Sequence, residues 1–589
     1  HCSGRDYPYT SRAHPLRVKA TMQILVRKVP PAGVGVEHPL LDRIYASRGI
    51  SEVAEMDRKL STLLSPAELP DIGKAAIRLA DAVQKQEKIM IVGDFDADGA
   101  TSVALCMLAL KSFGAKHVDF LVPNRFDFGY GLSPEIVQLA QTKNPDLIMT
   151  VDNGVASIAG VAEANAANID VIITDHHLPG EVLPDAVALV NPNLNDSVFP
   201  SKSMAGVGVA YYVLSWLRQE LRARDWFQQT QRKEPNLAQY LDLVALGTVA
   251  DVVPLDRNNR VLVHNGLLRM QRGMTRPGIK ALAQVGKRDL TTISAQDLGF
   301  AIGPRLNAAG RLEDMSVGIR CLMTQDDAEA KRLAGSLDEL NQTRRYLQQD
   351  MVADAELIVS QFKVGEQTTG LSVYHENFHQ GVVGIVAGRL REKFHRPAIV
   401  FADAGGAAPD ELKGSARSID GVNIRDVLDS IATRYPGLLI KFGGHAMAAG
   451  LSIKKVHLPR FHKVFDKAVA EVVTEDMLSA SLLTDGSLAG EDLNLQTVEL
   501  LASAGPWGSG FAEPLFSGEF ALISQRVVGD THLKLVVKHG DRVIDCIAFS
   551  QPMLSGSPAN VLMVYKLAVN DYAGSRTLQL MVEYIEALP

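Results

Sequence analysis

The sequence predicts an α/β protein of several domains: a parallel sheet covered by helices, a long connecting helix, a second α/β unit and a small C-terminal β-barrel. Three observations carry this reading. Between residues 89 and 190, near-continuous Val/Ile/Leu runs alternate with helical patterns, as parallel strands buried on both faces require. From 326 to 362 helical periodicity persists without an internal Pro and with only Gly335. After Leu483, helical patterns give way to five strand-like stretches, with turn signals at Gly529-Asp530 and Gly540-Asp541.

In chain order, residues 1–38 are expected to be an extension outside the fold, partly disordered or carried over from a vector. His1 to Thr21 lack Met and an apolar core segment, so no signal peptide is expected, and Met22 reads as the natural start. A first domain is expected over 39–325. Its first strong helix is 73–84, with Ile77, Leu79, Ala80 and Val83 on the apolar side. Strands follow at 89–92, 118–122, 147–151, 171–174 and 187–190, with helices at 101–113, 134–141 and 158–167 between them. Helical patterns at 203–217 and 237–245 precede the connecting helix 326–362, whose apolar side is Leu333, Leu337, Leu340, Tyr346 and Leu347. The second α/β unit, 363–470, offers strands 371–374 and 398–401 around a helix at 382–394. The barrel, 471–589, takes strands 516–528, 533–538, 542–549, 561–569 and 577–582, the pattern of an OB-fold, which commonly holds single-stranded nucleic acid.

The composition, 46% hydrophobic and 22% charged, is that of a globular protein. A net charge of -7 argues against bulk electrostatic binding to nucleic acid and leaves room for a local basic channel. Cys2, Cys106, Cys321 and Cys546 form neither a CxxC pair nor a disulfide pattern, which suits a reducing cytoplasm. No apolar run is long enough to span a membrane.

The chemistry concentrates at strand ends. Asp94, Asp96 and Asp98 follow the first strand at alternate positions. Their mutual repulsion has no folding rationale, whereas a hard divalent cation needs oxygen ligands and cancels it. Pro123-Asn124-Arg125-Phe126, with Phe128 (open to packing or base stacking) and Gly129-Tyr130-Gly131, follows the second strand. Asp152-Asn153-Gly154 follows the third and Asp175-His176-His177 the fourth. One Asp after a strand most often caps a helix. Four polar loops at the carboxyl edge of one sheet, where α/β proteins bind ligands, point instead to a site. Asp251 is acidic within the apolar stretch 246–255 and joins the candidates. Asp94-x-Asp96-x-Asp98-Gly99 resembles the start of an EF-hand, but the twelfth position is Leu105 rather than Glu. No Cys suggests zinc, and no Walker sequence suggests nucleotide-driven motion. Aspartates with His suit two Mn²⁺ or Mg²⁺ ions, which activate a water and stabilise the leaving oxygen of a phosphodiester. Residues 303–311 combine small side chains with Arg305 and Arg311, and 412–418 and 442–450 combine glycines with Ser415, Arg417 and His445. Both patterns fit close approach to a phosphate.

Taken together, Asp94-Phe95-Asp96-Ala97-Asp98-Gly99, Asp152-Asn153-Gly154, Asp175-His176-His177 and Gly247-Thr248-Val249-Ala250-Asp251 resemble the motifs of the DHH phosphoesterases. Pro123-Asn124-Arg125-Phe126, residues 303–311 and Gly443-Gly444-His445-Ala446 narrow the resemblance to the bacterial single-strand-specific exonucleases of that family, from Pro39 to the C-terminus. The resemblance implies a two-metal 5′→3′ exonuclease that degrades single-stranded DNA to mononucleotides in repair and recombination. It implies metal ligands Asp94, Asp96, Asp98, Asp152, His176 and Asp251, with Asp152 bridging. It gives His177 to the scissile phosphate or leaving group, and Arg125, Arg305, Arg311, Ser415, Arg417 and His445 to the DNA backbone and 5′-phosphate. It further implies a DHHA1-type second domain, an active site between the two α/β domains, and partners such as a single-strand-binding protein and a RecQ-type helicase. A monomer is expected. The runner-up is a phosphodiesterase of short oligonucleotides or cyclic dinucleotides, against which the barrel argues.

Overall fold

The computed structural model describes residues 22–123, 131–361, 368–406, 408–529, 531–556, 558–572 and 574–588. It divides into two compact units: 26–345 with 484–589, and 346–483 with 1–25.

In the first unit, strands β1 (Ile89–Val92), β2 (Val118–Leu121), β3 (Leu147–Val151), β4 (Asp170–Thr174) and β5 (Ala188–Val190) form one parallel sheet in the order β2-β1-β3-β4-β5. Alternate residues feed two cores. Ile89, Ile91 and Met149 join the cluster that holds Leu79, Val103 and Leu214, while Met90, Val92 and Ile148 join Ile136, Val137 and Val161. This period of two, with both faces covered, explains the unbroken apolar runs. The order reverses at β1, so the loops after β1 and β3 flank the crevice where such sheets bind ligands.

Helix α1 (Ala97–Phe113) begins four residues earlier than the sequence predicts. Asp96 Oδ1 accepts the Gly99 N–H (2.9 Å), and Asn307 Oδ1 accepts the Ala97 N–H (2.8 Å). Two N–H groups without partners inside the helix are thereby satisfied. The predicted helix 73–84 runs Ile72–Lys85, but Ile77 is exposed: the buried stripe is Ala76, Leu79, Ala80 and Val83, and Ile77 lies to its side. Helices α2 (Gly206–Ala223) and α3 (Leu241–Ala250) pack against α1. Residues 303–311, expected to approach a phosphate, form helix α4 (Gly303–Leu312) behind a π-helical turn, Leu298–Ile302. The close approach that its small residues permit is to protein: a Cβ at Gly310 would lie 1.7 Å from the Phe95 carbonyl oxygen.

Helix α5 (Asp327–Gln361) confirms the long helix, and the unit boundary falls within it at Tyr346. Leu333 and Leu337 belong to the first unit's core and Met351, Ala355 and Val359 to another. Tyr346, expected on the apolar side, is exposed where the stripe is interrupted.

The second unit holds strands β6 (Leu371–Tyr374), β7 (Ala398–Asp403), β8 (Glu411–Arg417), β9 (Lys441–Gly444) and β10 (Ala448–Lys454) in the order β9-β10-β8-β7-β6, with helix α6 (Val383–Phe394) following β6. Only β6 and β7 pair in parallel. The glycine-rich stretches 412–418 and 442–450 are mostly strand, not loop. Gly414 is required by packing, since a Cβ there would lie 2.5 Å from the Phe401 ring.

At the C-terminal end of the first unit, β11 (Phe516–Val528), β12 (His532–His539), β13 (Arg542–Ala548), β14 (Asn560–Tyr572) and β15 (Ser575–Ala587) close into a barrel, with β13 and β15 parallel. Its core residues Phe516, Leu535 and Tyr565 share one apolar cluster with the parallel-sheet domain. The turn before the barrel grips the chain just after Asp251. Leu255 N–H donates to Ser509 O (2.7 Å), and the Arg260 guanidinium lies 4.4 Å from the Phe511 ring centre. Among the described residues no helix is long and apolar enough to cross a membrane.

Candidate metal centre

Five aspartates and a histidine converge beyond the carboxyl ends of β1, β3 and β4 and at the end of α3. His176 Nε2 lies 3.1 Å from Asp152 Oδ1, 3.5 Å from Asp251 Oδ2 and 3.9 Å from Asp98 Oδ2. Three sets of potential ligand atoms each fall within 4.8 Å: Asp94/Asp96/Asp152, Asp98/His176/Asp251 and Asp152/His176/His177. Asp152 belongs to two of them.

Backbone groups position several of the acids. Asp98, fully buried in the first turn of α1, takes both of the first N–H groups of α2, from Gly206 (2.7 Å) and Val207 (2.8 Å). The positive end of that helix therefore faces the cluster. Gly206 has to be glycine, because a Cβ there would lie 2.6 Å from Asp152 Cβ. Asp152 adopts φ 61°, in the left-handed region that Asp tolerates. The next residue ties two strand ends together, as Asn153 Nδ2 donates to Val92 O (3.1 Å) and Val151 O (2.9 Å). Asp251 caps the C-terminus of α3, followed by Val252 at φ 63°.

Burial first, and neighbouring carboxylates second, set the acidity. Burial and then Asp96 push the Asp98 carboxyl up to about 7. Burial, then Asp98 and Asp96, hold Asp152 and Asp251 well above the usual carboxylate range. The cluster resists full ionisation unless a cation joins it. Five carboxylates and an imidazole without a thiolate make a donor set that fits hard or borderline divalent ions such as Mg²⁺ and Mn²⁺.

Asp175 is different. Burial acts to raise it, but the His177 hydrogen bond and charge and the Val155 N–H outweigh burial and keep it below the usual range. Its Oδ1 accepts from His176 N (2.7 Å) and His177 N (3.2 Å) and lies 2.7 Å from His177 Nδ1, while Oδ2 accepts from Val155 N (2.9 Å). An ionised carboxylate only accepts, so the proton sits on Nδ1 and Nε2 faces away. Burial lowers the His177 imidazole, but Asp175, with Asp94 and Asp98, more than compensates and raises it.

Residues 88–248 match the DHH family, N-terminal domain, residues 357–471 the DHHA1 domain, and residues 484–584 the RecJ OB domain. Over 553 residues the chain is 50% identical to the single-stranded-DNA-specific exonuclease RecJ of Dickeya dadantii (strain 3937), covering 93% of this chain and 96% of that protein. The chain belongs to the RecJ family. The RecJ of Escherichia coli (strain K12) is 49% identical over 554 residues, with the same shares covered. Among solved structures, RecJ from Thermus thermophilus in complex with Mn²⁺ aligns at a TM-score of 0.79 and 28% identity, over 96% of this chain and 80% of that one. The same protein with Mg²⁺ aligns at 0.74 and 26%, over 96% and 79%.

Of the residues expected to act, Asp94, Asp96, Asp98, Asp152, His176, His177 and Asp251 come together. Arg305 does not join them. It is buried, with its guanidinium bound to Asp338 (2.8 Å), Ala301 O (2.6 Å) and Val285 O (3.4 Å), so its hydrogen-bonding capacity is spent on protein. Arg311 sits on the last turn of α4, and His445 is exposed in the β9–β10 turn. Arg125 and Phe128 lie outside the described residues. In the second unit, Arg417 Nη1 donates to Ser415 Oγ (3.0 Å), and a Cβ at Gly384 would lie 2.9 Å from Arg417 Nη2. The first turn of α6, Arg417 and Ser415 therefore share one pocket. Among the described residues no carboxylate pairs with Arg417.

Four residues take positioning roles that the sequence did not give them. Asp175 orients His177. Asn193 Nδ2 donates to His176 O (2.5 Å) and Asn191 Nδ2 to His177 O (2.8 Å), pinning the backbone of both histidines. Asn307 holds the acid loop through Ala97. The signal for the asparagines was present: Asn191-Pro192-Asn193 directly follows β5, a fifth polar loop on the same sheet edge.

Proposed function

We propose that this protein is a metal-dependent exonuclease that hydrolyses single-stranded DNA from the 5′ end and releases 5′-mononucleotides. The observation that carries the reading is the convergence of the five aspartates and His176 beside a histidine oriented by its own buried carboxylate. Asp94, Asp96, Asp98, Asp152, Asp251 and His176 would hold two divalent cations, Mn²⁺ or Mg²⁺, which supply an activated water and neutralise charge on the phosphodiester. Asp152, which belongs to two of the three groups, would be the ligand shared between them.

His177 acts as the general acid. Nδ1–H is fixed on Asp175, and the proton at Nε2 passes to the departing 3′-oxygen of the terminal nucleotide as the P–O bond breaks. The shortened strand keeps a new 5′-phosphate and the terminal nucleotide leaves with a 3′-hydroxyl. Asn191 and Asn193 keep the histidine backbone still during this transfer. Ser415, Arg417 and the N–H groups of the first turn of α6 hold the 5′-terminal phosphate: an arginine fork and a helix N-terminus are both complementary to a phosphate dianion. Arg125, Arg311 and His445 extend the grip on the backbone, and the barrel binds the strand further along.

The test is degradation of a 5′-phosphorylated, 3′-labelled single strand with Mn²⁺, Mg²⁺ or EDTA, beside a blunt duplex and a 5′-blocked strand. Only the free single strand should shorten, only with metal. Asp152→Ala should lower the rate at least about a thousandfold with DNA binding retained. Equal attack on the 5′-blocked strand refutes the polarity, and cleavage in EDTA refutes the metal centre.

A further inference from the structure

The ring of Phe300 is 75% exposed, more than Tyr346 at 65% or Phe549 at 54%. Its neighbours Leu298, Ala301 and Ile302 are buried and satisfy the core. Packing gives no reason for a phenyl ring here, because a ring left this open gains little from burial. It stands on the single π-helical turn before α4, a local irregularity that often marks function.

The surroundings of that turn are specific. A Cβ at Gly299 would lie 3.4 Å from Val249 Cγ1 and one at Gly303 would lie 3.1 Å from Ala250 Cβ. Val249 and Ala250 are the two residues before Asp251, so the turn lies against the last turn of α3 beside the acid cluster. One helical turn further on, Asn307 bonds the acid loop at Ala97. In the other direction the chain reaches the barrel, where Gln296 Nε2 donates to Glu513 and Glu513 pairs with Lys566 of β14 (2.9 Å). Phe300 thus stands on the strip of surface that joins the acid cluster to the barrel.

We infer that Phe300 is a stacking platform for one base of the DNA strand, between the scissile end and the barrel. The inference rests on the nuclease reading above. A strand held by both the acid cluster and the barrel crosses this strip. An enzyme that removes every base in turn can grip it only through the backbone or through base faces. Two cations along this strip are already occupied, Arg288 by Asp297 and Lys566 by Glu513 and Glu583, and an open phenyl ring stacks on any base.

The experiment compares the parent protein, Phe300→Ala and Phe300→Trp on a 5′-phosphorylated single strand carrying one tetrahydrofuran abasic residue, walked from the 5′ end. Phe300→Ala should raise KM about tenfold with little change in kcat, and Phe300→Trp should keep or lower the parent KM. At one position the abasic residue should raise the parent's KM by a similar factor and leave that of Phe300→Ala unmoved, as expected when both changes remove one contact. The Mn²⁺ concentration at half-maximal rate should stay the same. A parent-like KM for Phe300→Ala, losses that simply multiply at every abasic position, or a shifted Mn²⁺ requirement each overturn the stacking role. A parent that leaves single strands intact with either metal overturns the nuclease reading itself, a result distinct from these.

Discussion

The acid cluster of the first unit and the Ser415–Arg417 pocket of the second carry opposite charge, although a DNA strand is negative along its whole length. The cluster gathers carboxylates whose acidity is depressed by burial and by one another. Arg417 is shifted the other way, by burial and then by Arg391, yet a guanidinium stays charged. In the proposed reading the first site would meet a phosphate only after metal has bound, whereas the second would be ready as folded. If that reading holds, the difference teaches that metal dependence and end recognition are separable, with His177 as a third component belonging to neither.

The sharpest test of that separation is His177. His177→Ala should lower kcat by about 10²- to 10⁴-fold, the usual worth of a general acid, with the Mn²⁺ concentration at half-maximal rate unchanged. A large shift in that concentration would place His177 among the ligands, as the Asp152/His176/His177 grouping permits, and merge two of the three components. Arg417→Ala should act on the opposite side and more weakly. Losing one charge-assisted contact raises KM for a 5′-phosphorylated strand about 10- to 100-fold and leaves the metal requirement alone. A 5′-hydroxyl strand should show almost none of this loss. An equal loss on both strands breaks the assignment of the pocket to the strand end.

What the sequence disclosed follows the same division. The acid cluster was legible because alternating carboxylates after an apolar strand have few rationales other than a cation, and because parallel strands announce themselves as unbroken apolar runs. The five barrel strands were legible from turns and alternation. Arg305 was misread because an arginine among small residues looks the same whether its partner is a phosphate or Asp338, and the partner lies in α5. The glycines of β8 were read for approach to a phosphate, whereas Gly414 is there to clear the Phe401 ring. Gly206, Asn191 and Asn193 gain their roles only from tertiary contacts that no spacing rule encodes.

The smallest expected effect separates the two sites by pH. Burial and Asp96 push the Asp98 carboxyl up to about 7 in the folded chain, against an ordinary value of 3.8, and Asp152 and Asp251 are raised as well. Between those limits the metal-free folded protein keeps protons that the unfolded chain has released. Stability from this cluster is therefore lost as pH rises from about 4 through 7. Divalent metal binds the deprotonated form and displaces those protons, so its stabilising effect grows over the same range. The Tm difference between Mn²⁺-loaded and metal-free protein should widen by several degrees from pH 5 to pH 8, read by calorimetry in matched buffers. A guanidinium stays charged across this range, so Arg417→Ala should leave the widening intact. A difference that stays flat, or narrows as pH rises, would mean that the carboxylates are already ionised without metal, and the contrast between a conditional site and a ready one would fail.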